Sequence, residues 1–551
     1  MTNDTATTPL YSRSSLPKFI DVLLIICFSI IPLFLHFPYR VNIFLSWEGA
    51  YRLYLGQVPY KDFGLPMGFG YWIVPGIFFK LFGPYLISLV KAQVLLNIVA
   101  GLSFRSILKK LNVSDGVRIA AVLVFCLSYI LMNFWPWYNN SVIIWEIVAL
   151  NFLLSFIVNT AKSRYIYMVL GCFFLFLSFF TKQDGGFFAF MIATLLMLYQ
   201  AIANKKWKDL VAYLVCYFLL ATLIILPFTH YSFGYWFNHG QPPHSSRLSI
   251  KDLLDEILGQ SQWIKFYVAI IIVLLLTRVN NWKQFLSDRQ EMLFLLLVAG
   301  ILFEAAIFQV TSYTPPDNNI FFQSFAAAYI FSSIEKISKT NFSRVKNFCF
   351  LLVGVLFWWS GMYWKYFERL TVHLFPATQE QNIMQSATGE NVINRHTYML
   401  DNDTTHYEDE STWKEVPGLR SFHKMYLPPS TVAGIGRLMA MPVFKNKDVR
   451  VLNMTELTPL DYELGYQLEK SPNYPLWYHL GVAIFNRQTD TFCNRIRNSY
   501  YNVVMFEYLP SLNNFYPFRI RDSLLQYYQK ADSFLAPRRP TNGTIEIFVR
   551  K

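Results

Sequence analysis

Long apolar runs, broken by short polar segments, fill the first 365 residues of the chain. A helix that crosses the hydrocarbon core of a membrane needs about 20 mostly apolar residues, and runs such as FIDVLLIICFSIIPLFLHF reach that length. The shorter stretch 68–82 contains Pro75, so it is either a span or a helix lying in the membrane interface. If it is interfacial, about eleven spans are predicted: 19–37, 86–107, 117–134, 141–160, 165–181, 186–203, 209–229, 263–278, 291–311, 318–335 and 347–364.

The distribution of positive charge decides between these two topologies. With the stretch 68–82 in the interface, the predicted cytoplasmic segments contain 18 Lys and Arg residues, and the outer segments before the last span contain 8. An excess of Lys and Arg is typical of cytoplasmic loops. The sequence therefore predicts a multi-pass protein of the cell (inner) membrane with a cytoplasmic N-terminus, an outer first loop at 38–85 and an outer C-terminal region.

The C-terminal residues 366–551 are predicted to form a small extracytoplasmic α/β domain after a transmembrane domain at 1–365. The segments YNVVMFEYL and GTIEIFVRK are typical of strands, and RIRDSLLQYYQKA has the spacing of an amphipathic helix. Of the six cysteines only Cys493 falls in this part, which excludes a disulfide framework within it.

Composition supports a membrane protein and argues against nucleic-acid binding. The chain is 54% hydrophobic and only 15% charged, well below the share usual for soluble domains. Its net charge of +13 comes almost wholly from residues 1–365, with 28 basic against 16 acidic residues, whereas residues 366–551 have 20 against 19. Because no nucleic-acid motif accompanies this excess, it reflects membrane topology.

The predicted topology brings four acidic residues from three separate loops to the outer face: Glu48, Asp62, Asp184 and Asp317. The first of them lies in SWEGAYRLYLGQVPYKDFGLPMGFGYW, residues 46–72, a polar stretch between two apolar ones. In a short helix there, Glu48 and Arg52 share one face at i, i+4. Such a pair can carry chemistry, or it can be an ion pair that only stabilises the helix.

The order of these elements resembles the GT-C class of membrane glycosyltransferases, and more narrowly the bacterial relatives of the dolichyl-phosphate-mannose protein mannosyltransferases (PMT/ArnT-like). The matching elements are an acid directly after the first span, GQVPYKDF, an interfacial helix ending FKLFG, a span with the early Lys91, and LSFFTKQDGGFF around Lys182. The resemblance covers roughly residues 19–335. Members usually carry an Asp or an Asp-Glu pair where this chain has Ser46-Trp47-Glu48.

The resemblance implies roles for the polar residues of the outer face. Glu48 is the expected base, while Asp62 and Asp184 would orient the acceptor or share a divalent cation (Mg or Mn) with Glu48; metal use stays open. Lys91 is the first choice for binding the donor phosphate, because a cation inside a span is unfavourable without an anionic partner. In the alternative role, Lys91 extends its ammonium to the membrane surface and binds no substrate. The predicted substrate-binding residues are Arg52, Lys61, Lys91, Lys182, Gln183, Glu146 and Asp317.

The function implied is transfer of a sugar from a polyprenyl-phosphate-linked donor to a glycan, lipid or protein acceptor of the cell envelope, with membrane lipids around the enzyme. The sugar and the acceptor are not readable from the sequence. A polytopic transporter or flippase for a lipid-linked or small polar substrate is the alternative from another class, although we find no internal repeat of the transporter kind. A non-catalytic scaffold of the same fold is a third possibility.

Overall fold

The protein is described here from a computed structural model. It describes residues 16–17, 19–39, 43–64, 67–131, 134–231, 250–260, 262–278, 282–312, 320–371, 408, 412–446, 448–472, 474–476, 485–509, 517–537 and 543–551. The α-helices up to residue 371 are α1 Ile20–Ile30, α2 Ile43–Tyr54, α3 Ile73–Phe82, α4 Leu86–Lys110, α5 Asp115–Cys126, α6 Ser128–Leu131, α7 Tyr138–Val158, α8 Arg164–Phe179, α9 Gln183–Asn204, α10 Trp207–Ile225, α11 Ile250–Leu254, α12 Gln262–Leu276, α13 Trp282–Ser287, α14 Arg289–Ser312, α15 Ile320–Ser338, α16 Val345–Trp358 and α17 Ser360–Thr371.

Each of the eleven predicted spans overlaps at least one of these helices, but the bounds differ. The predicted span 19–37 is α-helical only over α1, and 117–134 is divided between α5 and α6. Within the described residues, five helices are both long and apolar enough to cross a membrane: Leu86–Lys110, Tyr138–Val158, Gln183–Asn204, Trp207–Phe228 and Arg289–Phe308. Further apolar helices, such as Arg164–Phe179, are shorter. The chain is therefore a helical membrane protein, and the number of crossings stays a prediction.

The first outer loop is helical, as its pattern predicts. Helix α2 forms its first half, and a 3-10 turn at Gly70–Trp72 leads into α3. The two halves pack closely at Gly49, where an added Cβ would lie 1.9 Å from the ring of Trp72. Helix α3 ends at Gly83, whose φ of +88° reverses the chain into α4. This packing holds α2 against the ends of the spans.

The C-terminal region contains helices and two small sheets. Strands β2 Lys414–Glu415, β3 Met425–Leu427, β4 Val451–Met454, β5 Val503–Tyr508, β6 Tyr528–Leu535 and β7 Thr544–Arg550 alternate with helices α18 Pro429–Met439, α19 Leu460–Leu464, α20 Phe485–Arg497 and α21 Phe518–Tyr527. The larger sheet has the order β4-β5-β7-β6, so both predicted strands are confirmed. The predicted helix RIRDSLLQYYQKA is correct only to Tyr527, because the following residues pair with β7 as β6.

The first outer loop and the C-terminal region are joined by backbone pairing. Strand β1, Phe37–Pro38, lies directly after the first span and pairs in parallel with β3, Phe37 opposite Met425. A second junction lies at Gly64, whose N–H donates to the carbonyl of Tyr474 at 2.8 Å and whose carbonyl accepts from Leu476 at 3.1 Å. The C-terminal region is thus continuous with the loop that carries Glu48.

Candidate functional site

Glu48 and Arg52 form a buried ion pair on α2. The guanidinium Nε and a second nitrogen each lie 3.0 Å from Oε1 of Glu48, as the i, i+4 spacing predicts. Arg52 is completely buried and Glu48 is 7% exposed. Removing one partner of a buried pair typically costs about 3–5 kcal/mol, because the other charge is left uncompensated.

Burial and pairing act in opposite directions on the two groups. Burial raises the pKa of Glu48, and the attraction of Arg52 offsets only part of this effect, so that the pKa of the carboxyl lies above its ordinary value. For Arg52 the attraction of Glu48 exceeds the effect of burial, so that the pKa of the guanidinium is raised. Glu48 is therefore a stronger base than an exposed carboxylate.

The C-terminal region covers this ion pair. Arg52 donates to the backbone carbonyl of Glu469 at 3.0 Å and to the side chain of Gln57 at 2.8 Å. The rings of Phe63 and Tyr474 lie 5.4 and 4.7 Å from the guanidinium carbon. These contacts enclose the guanidinium of Arg52 within the protein. Arg52 therefore acts as a fixed positive charge.

A further acid of the C-terminal region, Asp461 of α19, belongs to the same electrostatic cluster. Its side chain accepts hydrogen bonds from Asn453, at 2.8 Å, and from the hydroxyl of Tyr466. Burial, followed by repulsion from Glu48, raises the pKa of Asp461 to about 7. Sequence analysis missed this residue, because 366–551 lies outside the resemblance.

Asp62 and Lys61 lie on the same loop but have different surroundings. The carboxylate of Asp62 accepts from the backbone N–H of Val58 at 2.7 Å, which closes a turn, and its carbonyl accepts from Ser471 at 2.9 Å. Lys61 is exposed, with its ammonium 5.6 Å from the ring of Tyr231. The contacts of Asp62 hold the loop to the C-terminal region, and its catalytic role stays a prediction.

A second charged pair lies at the N-terminus of α9. The ammonium of Lys182 is 3.0 Å from a carboxylate oxygen of Asp184, and the other carboxylate oxygen accepts from the N–H of Gly185 at 2.8 Å. Gln183 begins the helix. The ammonium also lies 4.5 Å from the ring of Phe308 and 5.8 Å from that of Tyr138.

Aromatic residues connect the two charged pairs. From the Phe63 ring beside Arg52, ring contacts continue through Trp72 at 5.9 Å, Tyr71 at 4.8 Å and Tyr138 at 6.1 Å. A shorter link is the hydroxyl of Ser46, which donates to the carbonyl of Pro136 at 2.6 Å, two residues before Tyr138. A series of ring contacts thus links the two pairs, and their convergence on one site stays a prediction.

Two acids inside the predicted spans lie together. The carboxyl groups of Glu146 on α7 and Glu304 on α14 are buried and face each other. Lys91 lies in the second turn of α4 with its ammonium 4.1 Å from the ring of Phe82 at the end of α3. This contact directs Lys91 towards the end of α3 and stabilises its charge by cation–π attraction.

Two sequence predictions remain without structural support. Asp317 lies outside the described residues. Within the described part of the chain, no group of three or more His, Cys, Asp or Glu residues is arranged to hold a metal ion. Glu48 bonds to Arg52 and Asp62 closes its turn, and metal use by these two acids stays open.

The comparisons with known proteins agree with this architecture. No protein-family model and no curated protein sequence matches the chain. The structure is similar to that of ArnT from Cupriavidus metallidurans bound to undecaprenyl phosphate, with a TM-score of 0.50 and 10% identity over 96% of this chain and 97% of that one. The apo state of the same protein has a TM-score of 0.48. An oligosaccharyltransferase from Archaeoglobus fulgidus has a TM-score of 0.42, and the match covers 74% of that protein's chain.

The chain therefore has a fold similar to that of ArnT, with a helical membrane part and a C-terminal sheet region. This is the fold that the resemblance of its loop order to GT-C membrane glycosyltransferases predicts. At 10% identity the likeness defines the fold, and the chemistry rests on the residues above.

Proposed function

We propose that this protein is an integral-membrane glycosyltransferase that moves a sugar from a polyprenyl-phosphate-linked donor to a cell-envelope acceptor on the outer face of the inner membrane. The observation that carries the proposal is the buried Glu48–Arg52 pair on α2, in the first outer loop of an ArnT-like fold. The N-terminus is cytoplasmic, residues 1–365 form the transmembrane domain and residues 366–551 the outer domain.

In the proposed reaction Glu48 takes the proton of the acceptor hydroxyl. The acceptor oxygen forms the new bond to the sugar C1, the C1–oxygen bond to the phosphate breaks, and polyprenyl phosphate leaves with the bonding electrons. The raised pKa of Glu48 suits this role, since a general base works best when its pKa is near the working pH. Asp184 would orient the acceptor, and Asp62 would hold the loop that carries the base.

The leaving phosphate requires positive charge near the interface. Lys91, close to the outer end of α4, and Lys182, beside Asp184, are the cations that would bind it. Arg52 is enclosed by its own contacts and would act by keeping Glu48 ionised. Lys61 and Gln183 would contact the donor headgroup or the acceptor, and Glu146 would line the acceptor cavity from the membrane side.

The test is Glu48→Gln in the full-length protein. Membranes that contain it would be supplied with undecaprenyl phosphates charged with radiolabelled hexoses or pentoses, and label transfer to the envelope fraction would be counted. We expect a loss of about 10²- to 10⁴-fold, because a positioned base contributes that much. Full activity of the variant refutes the assignment of the base.

A matched control is Asp532→Asn, which removes a carboxylate of the outer sheet that pairs with Arg437 away from α2. Its transfer rate should equal that of the wild type. The transporter alternative is tested with the same donors in liposomes, where flux without transfer would support a flippase.

A further inference from the structure

Among the residues that the structure describes, two buried acids interact electrostatically with the guanidinium of Arg52. They are Glu48 of the first outer loop and Asp461 of the C-terminal region. The single positive charge of Arg52 cannot balance two carboxylates, and an uncompensated charge in a buried site is strongly unfavourable. The cluster therefore retains a proton, or takes up a positive group, when it is buried.

We propose that Asp461 is a positioning residue of the Glu48 site, which tunes the basicity of Glu48 by sharing one proton and one guanidinium with it. The C-terminal region would then be part of the active site. The consequence for transfer rests on the proposed function, whereas the sharing of the proton does not.

The packing fixes Asp461 beside α2 through contacts on both sides of it in the chain. Before it, the hydroxyl of Thr458 donates to the carbonyl of Phe44 at 3.4 Å. Directly after it, the ring of Tyr462 packs edge-on against Tyr51 at 6.2 Å. Because Arg52 also donates to the carbonyl of Glu469, the segment 458–469 cannot move without α2.

The hydrogen bonds of Asp461 leave one of its oxygens for a proton. Both the amide of Asn453 and the hydroxyl of Tyr466 donate to Oδ1. No further hydrogen bond to the carboxylate comes from the described residues. Oδ2 is thus the oxygen on which the shared proton would reside. The charged and titratable groups that face Asp461 are Tyr39, Glu48, Tyr51, Arg52, Tyr466 and Tyr474.

The geometry agrees with the titration behaviour of the group, whose pKa is raised to about 7 by burial and by Glu48. Below that pH Asp461 is neutral and Arg52 serves Glu48 alone. Above it two anions share Arg52, and Glu48 binds a proton more tightly. Transfer by the wild type should therefore rise as the pH passes 7.

The experiment is an infrared titration of the carboxyl C=O band, made between pH 4.5 and 9 on the purified full-length protein in lipid nanodiscs. The wild type should show a protonated carboxyl that titrates near pH 7. Asp461→Asn should remove this band, and Glu48→Gln should move its midpoint down by about one pH unit, the order expected for loss of a nearby charge. Asp532→Asn should leave the band unchanged.

Tyr466→Phe is a second variant, which tests the proposal if Asp461→Asn fails to fold. It keeps the carboxyl but removes a hydrogen bond that stabilises its charge, so the midpoint should move upwards. A band near pH 7 that persists in Asp461→Asn, or a midpoint that stays in place in Glu48→Gln, overturns the proposal. Because the titration needs no sugar donor, its outcome is independent of whether the protein transfers sugar.

The consequence for transfer has a separate readout. With labelled undecaprenyl-phosphate sugars as the probe, Asp461→Asn should remove the rise in rate around pH 7, whereas a structural defect would lower the rate at all pH values alike. A retained rise in this variant contradicts the positioning role.

Discussion

The ion pairs on the predicted cytoplasmic side differ from the cluster on the outer side in their balance of charge. On the predicted cytoplasmic side Asp21 of α1 lies 2.7 Å from both Arg105 and Arg118, and Arg118 also bonds to Asp115. Two further pairings there are Arg164 with Asp209, and Glu291 with Arg278 and Lys336. In each of these networks the cations are at least as many as the carboxylates.

On the outer side the acids outnumber the base. Glu48 and Asp461 share Arg52, and both acids have raised pKa values as a result of burial. The networks on the predicted cytoplasmic side have at least one cation for each carboxylate, and they join neighbouring helices. The outer cluster has an excess of negative charge, which is what a site needs in order to accept a proton or a positive group.

The largest expected effect is a difference in the free energy of unfolding between two variants, each of which lacks one acid from one of the two sides. Asp21→Asn should lower the free energy of unfolding by roughly 3–5 kcal/mol, because it leaves the buried guanidinium of Arg118 beside the partly buried one of Arg105. Asp461→Asn should leave stability unchanged or higher at pH 8, because it relieves repulsion from Glu48. Thermal unfolding in detergent measures both; equal losses in the two variants would contradict the contrast.

The next effect is the pH dependence of stability. Asp461 has an ordinary pKa of 3.8 when unfolded and about 7 when folded, so the folded state binds more protons between these values. Stability should therefore be highest at the acid end and fall as the pH rises towards 7, by up to about 1.4 kcal/mol per pH unit.

Chemical unfolding followed between pH 4.5 and 8 checks this slope. Asp461→Asn should flatten it, and Asp532→Asn should preserve it. A wild-type stability that rises over this window would show that carboxylates with lowered pKa values, such as Glu546, outweigh Asp461.

A smaller effect is expected at the predicted phosphate contact. Lys91→Met should weaken binding of undecaprenyl phosphate about 10-fold, since a hydrogen bond to a charged group contributes roughly 1.5 kcal/mol. Lys80→Met removes an exposed lysine from α3 and is the matched control. Equal affinities of the two variants in a nanodisc binding assay would leave Lys91 as an interface anchor.

The smallest effect should come from the outer surface. Arg437 and Asp532 form two hydrogen bonds of 2.8 and 3.0 Å, but Arg437 is half exposed. Exposed pairs contribute about 0–1 kcal/mol, so the unfolding free energy of Asp532→Asn should differ from that of the wild type by no more than this. A larger loss would disqualify the variant as a control.

The sequence predicts the helical part of the fold well, because the helix signals there are long. Each predicted span overlaps at least one helix, and the i, i+4 spacing of Glu48 and Arg52 places them in contact. These are local or periodic features that need no tertiary information.

The rest of the candidate site depends on contacts between residues far apart in the chain. Asp461 is 413 positions from Glu48, and the hydrogen bond between Arg52 and the Glu469 carbonyl spans 417 positions. Neither pattern nor composition predicts such contacts. The sequence near Asp461 has three scattered acids, Glu456, Asp461 and Glu463, and many exposed segments have a similar pattern.

The parallel pairing of β1 with β3 has a consequence for biosynthesis. A ribosome must finish residues 425–427 before the segment at 37–38, which entered the membrane with the first helix, can find its partner strand. While the nascent chain is being inserted, the loop with Glu48 therefore lacks its contacts with the C-terminal region. A protein truncated before its last quarter should consequently be inserted into the membrane but leave the Glu48–Arg52 pair uncovered. Formation of the site is therefore coupled to completion of translation.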